Sequence, residues 1–415
     1  MSVVIVGAGI GGLTLALQLH KRGIHCRIYE AVATLEPLGV GINVLPHAMK
    51  ELAELGLMEP LRAAGVETSN YHFYNRFGQL IHAEPRGLAA GYAWPQVSMH
   101  RGVLQQILLR AVLERLGPEA VVTGSRLVFC EQSERGVSTT FELANDGSFD
   151  TVVSEVLVGC DGIRSTVRKQ VYPLPDPLVY SGITMWRGIT RWRPILDGAT
   201  MLYAGWLETG KVIIYPVSDK LDADGYQMMN WLCEFYVPPR TASADWSQPG
   251  DLADFAWACA DMHFDFLDIP EFVAAAQFVY EYPMVDRDPI PYWTDGRVTL
   301  LGDAAHPMTP RGSNGAGQAI LDARVLADQL STNHDPFVAL HQYDAIRRPQ
   351  TAAVIAANRT QPPDAILREA FERTGDQPFA DINDVISKQE LEELSRSYRM
   401  AAGFDQSQLD SDTAQ

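Results

Sequence analysis

A chain of 415 residues, 47% hydrophobic and 20% charged, has the composition of a globular protein long enough for two or three domains. Its formal net charge of −18 argues against nucleic acid and anionic membranes as partners, and an anionic substrate would need local arginines. No apolar run approaches the roughly 18 residues that span a bilayer, and five cysteines without a CxxC pair or zinc spacing predict no metal site.

Val3-Val-Ile-Val6 predicts a strand, and Gly7-Ala-Gly-Ile-Gly-Gly12 carries it into an apolar helix over 13–19 that Gly23 ends. A strand beginning at Val3 leaves no room for a signal peptide, so a cytoplasmic location is expected. A second strand, 25–30, ends on Glu30 and completes a βαβ start. Residues 98–110 predict a loop entering an amphipathic helix. Strands over 121–130, 139–143 and 156–159 lead to Cys160-Asp-Gly-Ile-Arg-Ser165. Between 172 and 270 the pattern changes: alternating, aromatic-rich stretches at 182–192, 200–206, 212–217 and 228–236 predict an antiparallel sheet. From about 274 the chain returns to the first domain through 282–288 and a strand at 298. That strand runs into Gly302-Asp303, a Pro/Gly-rich turn and a helix from about Gly315. Helices over 318–330 and 336–358, a helical segment at 382–399 and a disordered polar tail, 406–415, complete the chain.

The first glycine loop has the context its motif requires, a strand before it and a helix after it. Gly7 makes the tight turn, Gly9 lets backbone approach a pyrophosphate, and Gly12 allows close helix–strand packing, with helix amides facing the phosphate. Glu30 stands 18 residues past Gly12, where a carboxylate accepts both hydrogen bonds of an adenosine ribose diol. This reads as a dinucleotide site, FAD or NAD. The second strand-to-helix turn, at Gly302-Asp303, favours FAD: an acid there can bond the ribityl hydroxyls, which NAD lacks. Amides at Gly315 and Ala316, at a helix N-terminus, can stabilise charge on the reduced flavin ring.

With these motifs the chain resembles the FAD-dependent aromatic hydroxylases, the single-component (class A) flavoprotein monooxygenases, over about 1–358. Matching residues include Gly7–Gly12, His100-Arg101, Asp161-Gly162 with Arg164-Ser165, Gly302-Asp303, and Tyr343 with Arg347-Arg348-Pro349. The phenazine-modifying branch is resembled most, through Pro37-Leu-Gly-Val-Gly-Ile-Asn43, Gly182-Ile-Thr-Met-Trp-Arg-Gly188 and Tyr282-Pro-Met-Val-Asp-Arg-Asp-Pro289. The resemblance implies an α/β fold: a Rossmann-like FAD domain of the glutathione-reductase type in two parts, 1–171 and 274–360. An antiparallel-sheet substrate domain (172–273) is inserted between them, and a helical segment (361–405) follows. It also implies FAD contacts from Gly7, Gly9, Gly11, Gly12, Glu30, Ala31, Val40, Gly41, Arg101, Gln105, Leu127, Asp161, Asp303, Pro310, Gly315 and Ala316. Asn314 stands where the family commonly has glutamine, a change expected to matter little. Cys160 replaces a small alanine and reads as core packing.

By the same resemblance, NAD(P)H reduces FAD, a flavin C4a-hydroperoxide forms with molecular oxygen, and a small aromatic substrate is hydroxylated, with or without decarboxylation. Without a second dinucleotide fingerprint, NAD(P)H is expected to bind transiently at the flavin cleft. Pro307 is expected beside the flavin's reactive edge. Arg187 is a candidate for pairing with a substrate carboxylate or phenolate, or else a surface arginine. Tyr215 can bond a substrate hydroxyl or simply pack in the sheet, and His47 is a candidate catalytic group or a structural one. His306 reads as a turn residue. An FAD oxidase without oxygen insertion and a flavin-binding sensor are the rival classes; disulfide reductases lack their cysteines here, and hydrolase motifs are missing. A monomer or homodimer is expected.

Overall fold

Val3, Val4, Ile5 and Val6 are all buried, and a strand apolar on both faces belongs inside a parallel sheet. In the computed structural model, which describes residues 1–37, 39–238, 248–360 and 362–413, Ser2–Val6 is the central strand of five. The order is Val298–Leu300, Val156–Gly159, Ser2–Val6, His25–Tyr29 and Val121–Val122, parallel throughout. Ile5 stands between Ile28 and Val158. The helix Ile10–Lys21 packs against Arg101–Leu116 and Gly315–Thr332. A three-stranded antiparallel sheet (Ser125–Ser133, Gly136–Leu143, Phe149–Ser154) joins the same core, with Phe141 stacked on Tyr29 at 4.3 Å between centroids.

The aromatic sheet has seven strands and is wider than its expected boundaries. Its order is Val279–Asp286, Val179–Trp192, Gln227–Tyr236, Gly210–Pro216, Thr200–Trp206, Asn70–Tyr74 and Leu80–Pro85. The last two come from before 171 and the first from after 273. Thr200–Trp206 pairs with Asn70–Tyr74 in parallel, the one such pair in this sheet among the described residues. Period-two alternation explains the recruitment: Tyr71 and Phe73 face the same cluster as Met185, Tyr203, Tyr215, Tyr282 and Met284. The opposite face carries Trp186, Trp231, Phe235 and Phe255.

The C-terminal segment lies on the first of these faces. Ile366 and Leu367 of the helix Ala365–Thr374 and Leu391 of Lys388–Ala401 join its cluster. Ser387 and Glu390 form a reciprocal capping box that starts the second helix. The expected disordered tail is in fact helical over Gln406–Thr413, because two residues anchor it: Leu409 is buried, and Gln406 Nε2 donates to the Gly91 carbonyl at 2.9 Å. Residues 414–415 lie outside the described residues. No described helix is long and apolar enough to cross a membrane.

Candidate functional site

The glycines of the first loop divide by what a side chain would meet. Gly7 has φ +106°, and a Cβ there would stand 2.5 Å from the carbonyl oxygen of Cys160. At Gly12 a Cβ would stand 2.1 Å from the Gly7 oxygen, and at Gly11 2.7 Å from Leu301. These three pack the helix onto the sheet. Gly9 differs, since a Cβ on it meets nothing within 4 Å. It precedes the helix Ile10–Lys21, whose N-terminus has no side-chain cap, so orphan amides open onto that space.

Ala8 is held from both sides. Its amide donates to Glu30 at 2.7 Å, and its carbonyl accepts from Gln105 Nε2 at 2.8 Å. Glu30 also accepts from the Val32 amide at 2.9 Å. A carboxylate has about four acceptor sites, so Glu30 can brace the loop and still accept from a ribose. Ala31 beyond it is half-buried, and Leu127 is buried in the first core. The Arg101 amide donates to the buried Val40 carbonyl at 2.8 Å, while its side chain is exposed and makes no ion pair among the described residues.

The second turn repeats this plan. Asp303 is open to solvent on one side and enclosed by protein on the others. Burial raises its carboxyl, against the opposing pull of His306 and Arg101. It accepts no hydrogen bond among the described residues. Its Oδ1 lies 3.9 Å from where a Cβ of Gly315 would stand, so the acid sits at the start of the helix Gly315–Thr332. That helix too has no side-chain cap. Pro310, half-buried, opens the turn before it, and Ala316 is half-buried in its first turn.

Beneath the turn is a buried network that sequence reasoning missed. Asp322 accepts from the Gly302 amide at 3.1 Å, from His306 Nε2 and from Arg347 Nε at 2.7 Å. Arg347 also donates to Gln318 Oε1 at 2.6 Å, and Tyr343, one helical turn earlier, donates to the Leu300 carbonyl at 3.0 Å. His306 is therefore more than a turn residue, and Tyr343 and Arg347 hold the acidic turn in place. The available signal was an aspartate in line with Ala319, Ile320, Ala323 and Leu326 on the apolar stripe of its helix.

The aromatic sheet meets this domain at Gly41. Its amide donates to Asn230 Oδ1 at 2.7 Å, and a Cβ there would stand 2.7 Å from the Tyr215 ring. Tyr215 is buried, which raises its hydroxyl above the usual range, and it lies near Asn43 and Arg187. Arg187 is 6% exposed, which corrects its reading as a surface arginine. Burial and the neighbouring Arg101 bring its pKa down to about 10, opposed by Tyr282, Tyr215 and Tyr280. Arg101 thus lies within electrostatic reach of both Arg187 and Asp303.

His47, Asp161, Pro307 and Cys160 each have surroundings of their own. His47 stacks on Phe404 at 5.5 Å and lies against Gly317, behind the Gly315 helix. Burial and Arg347 push it down to about 3, so it is neutral and unsuited to acid–base work. Asp161 accepts from Ser165 Oγ and the amides of Thr166 (2.7 Å) and Val167 (3.2 Å), an arrangement that caps the helix Thr166–Val171. Pro307 is buried, and its carbonyl accepts from the Arg287 amide at 3.4 Å. Burial holds the Cys160 thiol far above its usual pKa, as packing requires.

Two uncapped helix N-termini, each with an acid beside it, fit a long dinucleotide with a polyol arm. The family model for the FAD binding domain matches residues 1–175 and 285–358. Phenazine 1,6-dicarboxylic acid hydroxylase PhzS of Lysobacter antibioticus is 45% identical over 363 residues, covering 86% of this chain and 89% of that one. The 3-amino-4-hydroxybenzoate 2-monooxygenase PtmB3 of Streptomyces platensis is 31% identical, over 86% of each. A crystal structure of a variant of HpxO from Klebsiella pneumoniae, complexed with FAD, superposes with a TM-score of 0.78 at 25% identity, over 97% of this chain and 98% of that one. The chain belongs to the FAD-binding-domain family and is a flavoprotein monooxygenase of the aromatic-hydroxylase group.

Proposed function

We propose that the chain hydroxylates a small, electron-rich aromatic or N-heteroaromatic carboxylic acid, with NAD(P)H as reductant, in the cytoplasm. The observation that carries this reading is Arg187, a guanidinium buried within a wall of tyrosines. An arginine so placed suits a planar carboxylate, which it binds through two parallel hydrogen bonds. In a chain of net charge −18, Arg187 and Arg101 supply the local positive potential that an anionic ring needs. A phenazine dicarboxylic acid and an aminohydroxybenzoate, named for two relatives, are both ring carboxylates.

Bound FAD supplies hydride acceptance and oxygen activation. The first-turn amides of Ile10 and Gly11, with Arg101, hold its pyrophosphate, and Glu30 its adenosine ribose. Asp303 would hold the ribityl hydroxyls, and the amides of Gly315 and Ala316 would stabilise negative charge on the reduced ring. Pro307 and the aromatic face keep water from the reacting edge. One ring hydrogen, O2, NAD(P)H and a proton become a ring hydroxyl, NAD(P)+ and water. If the carboxylate is the group replaced, CO2 leaves and a second proton is taken up.

A panel of ring carboxylates tests this reading: substrate-stimulated NAD(P)H oxidation with a product heavier by one oxygen, or with CO2 lost and oxygen gained, is expected. Hydrogen peroxide in full yield would point to an oxidase instead, and no consumption to a sensor. Arg187→Met is expected to raise KM for the carboxylated ring by roughly 10- to 100-fold, the loss of a charge-assisted hydrogen bond. FAD affinity should stay unchanged. An unaltered KM would remove the carboxylate assignment.

A further inference from the structure

The geometry points to Tyr398, in the C-terminal helix Lys388–Ala401, as a positioning residue that keeps the Gly315 helix N-terminus open for the flavin ring. This rests on the FAD contacts proposed above and adds to them a segment lying beyond residue 358, where the family match ends.

Asn314 is the residue before the helix, and asparagine is among the strongest helix-capping residues. Its side chain ordinarily turns back to the amides of the first turn. Here it does not. Asn314 Nδ2 donates to Tyr398 Oη at 2.8 Å and to the Gly312 carbonyl at 3.1 Å. Tyr398 Oη in turn donates to Asn358 Oδ1 at 2.8 Å, so the hydroxyl is fixed from two sides. The Asn314 backbone, at φ −92° and ψ −23°, is helical rather than extended, unlike an ordinary cap. With the competing side chain drawn away, the first amides of the helix are left for a ligand.

The turn is shaped to admit this hydroxyl. Gly312 has φ +72°, and a Cβ there would stand 1.8 Å from Tyr398 Oη, so any other residue would expel the tyrosine. Neighbouring contacts fix the same segment along the helix. Gln318 Nε2 donates to the Ala402 carbonyl at 3.3 Å, and Phe404 covers His47. Arg311, in the same turn, donates to Asp364 at 2.9 Å. Asn314, expected from sequence to be an unimportant replacement, is therefore matched by a specific partner 84 positions further along the chain.

Tyr398→Phe tests this, because it keeps the ring and removes only the hydroxyl. Released Asn314 is expected to cap its own helix. FAD affinity, followed by quenching of flavin fluorescence, should fall by roughly three- to tenfold, the range for one or two hydrogen bonds. Sulfite, whose adduct with oxidised flavin is stabilised by positive potential at the pyrimidine side, should bind the holoenzyme more weakly. Combining Asn314→Ala with Tyr398→Phe removes the competing cap and should restore sulfite affinity. Leu391→Ala, on the same helix but in the sheet cluster, should lower the melting temperature and leave sulfite affinity unchanged. Wild-type FAD and sulfite affinities in Tyr398→Phe would overturn the proposal, as would a loss that Asn314→Ala fails to reverse. A wild-type chain unable to bind FAD would instead overturn the reading beneath it, and this proposal with it.

Discussion

Gly9→Val is expected to fold like the wild-type protein and to purify without FAD. The backbone at Gly9 is extended (φ −72°, ψ 179°), a conformation valine adopts freely, and a Cβ there meets no protein atom within 4 Å. Stability should therefore stay within about 0.5 kcal/mol of wild type, as for an ordinary surface change. The same open space is where the proposed cofactor site sets the FAD pyrophosphate against the helix amides. An isopropyl group placed there should weaken FAD binding by roughly 10- to 100-fold, the equivalent of 1–3 kcal/mol of steric conflict. Gly12→Val is the contrast: its Cβ would lie 2.1 Å from a backbone oxygen, so misfolding is expected rather than selective loss of cofactor. Asp303→Ala should behave like Gly9→Val, folded and pale, because Asp303 bonds no described group of the protein. Full retention of flavin by both Gly9→Val and Asp303→Ala would show that neither helix terminus holds the cofactor.

Asp322→Ala is expected to lose about 3–5 kcal/mol of stability, the range for removing one partner of a buried ion pair. That is a large share of the 5–15 kcal/mol typical of a folded domain. Arg347 and His306 would be left without their carboxylate, and the Gly302 amide without its acceptor. Asp322→Asn should fall between, since it keeps an acceptor and drops the charge. Burial alone would raise the Asp322 carboxyl, but His306 and Arg347 outweigh it and hold the pKa below its ordinary value. Stability from this group is thus fully present above about pH 3.9, the unfolded value, and is lost as pH falls through the lower folded value. Urea denaturation across that acid range should show a slope in the wild type that is shallower in Asp322→Asn. Wild-type stability in Asp322→Ala would contradict the network.

Local rules made much of the cofactor side legible. Gly7 and Gly12 of the first loop have backbone reasons to be glycine, and Glu30 and Asp303 are acids at strand ends, where a short pattern is enough. The interior aromatic strands were legible through alternation. Asn70–Tyr74 and Leu80–Pro85 were not, because their place in the aromatic sheet rests on a parallel pairing with Thr200–Trp206, far along the chain. Likewise, Val279–Asp286 reads as part of the first domain by position, while Tyr282 and Met284 commit it to the aromatic cluster. His47 follows the Gly39–Asn43 loop in sequence, yet the helix Pro46–Glu54 turns it toward Phe404 and away from the cleft. Asp322 and Tyr398 acquire their meaning only from partners in other helices. No local pattern announces Tyr398, and for Asp322 the pattern shows an acid on an apolar stripe but none of its partners.

A single ligand gripped at two separated helix ends is tested most directly with fragments of that ligand. Apoprotein titrated with FAD, FMN and ADP should bind FAD at least about 100-fold more tightly than either half, since joined halves gain from effective concentration. FMN or ADP binding as tightly as FAD would mean that only one end is used, and absence of FAD binding would contradict the account altogether.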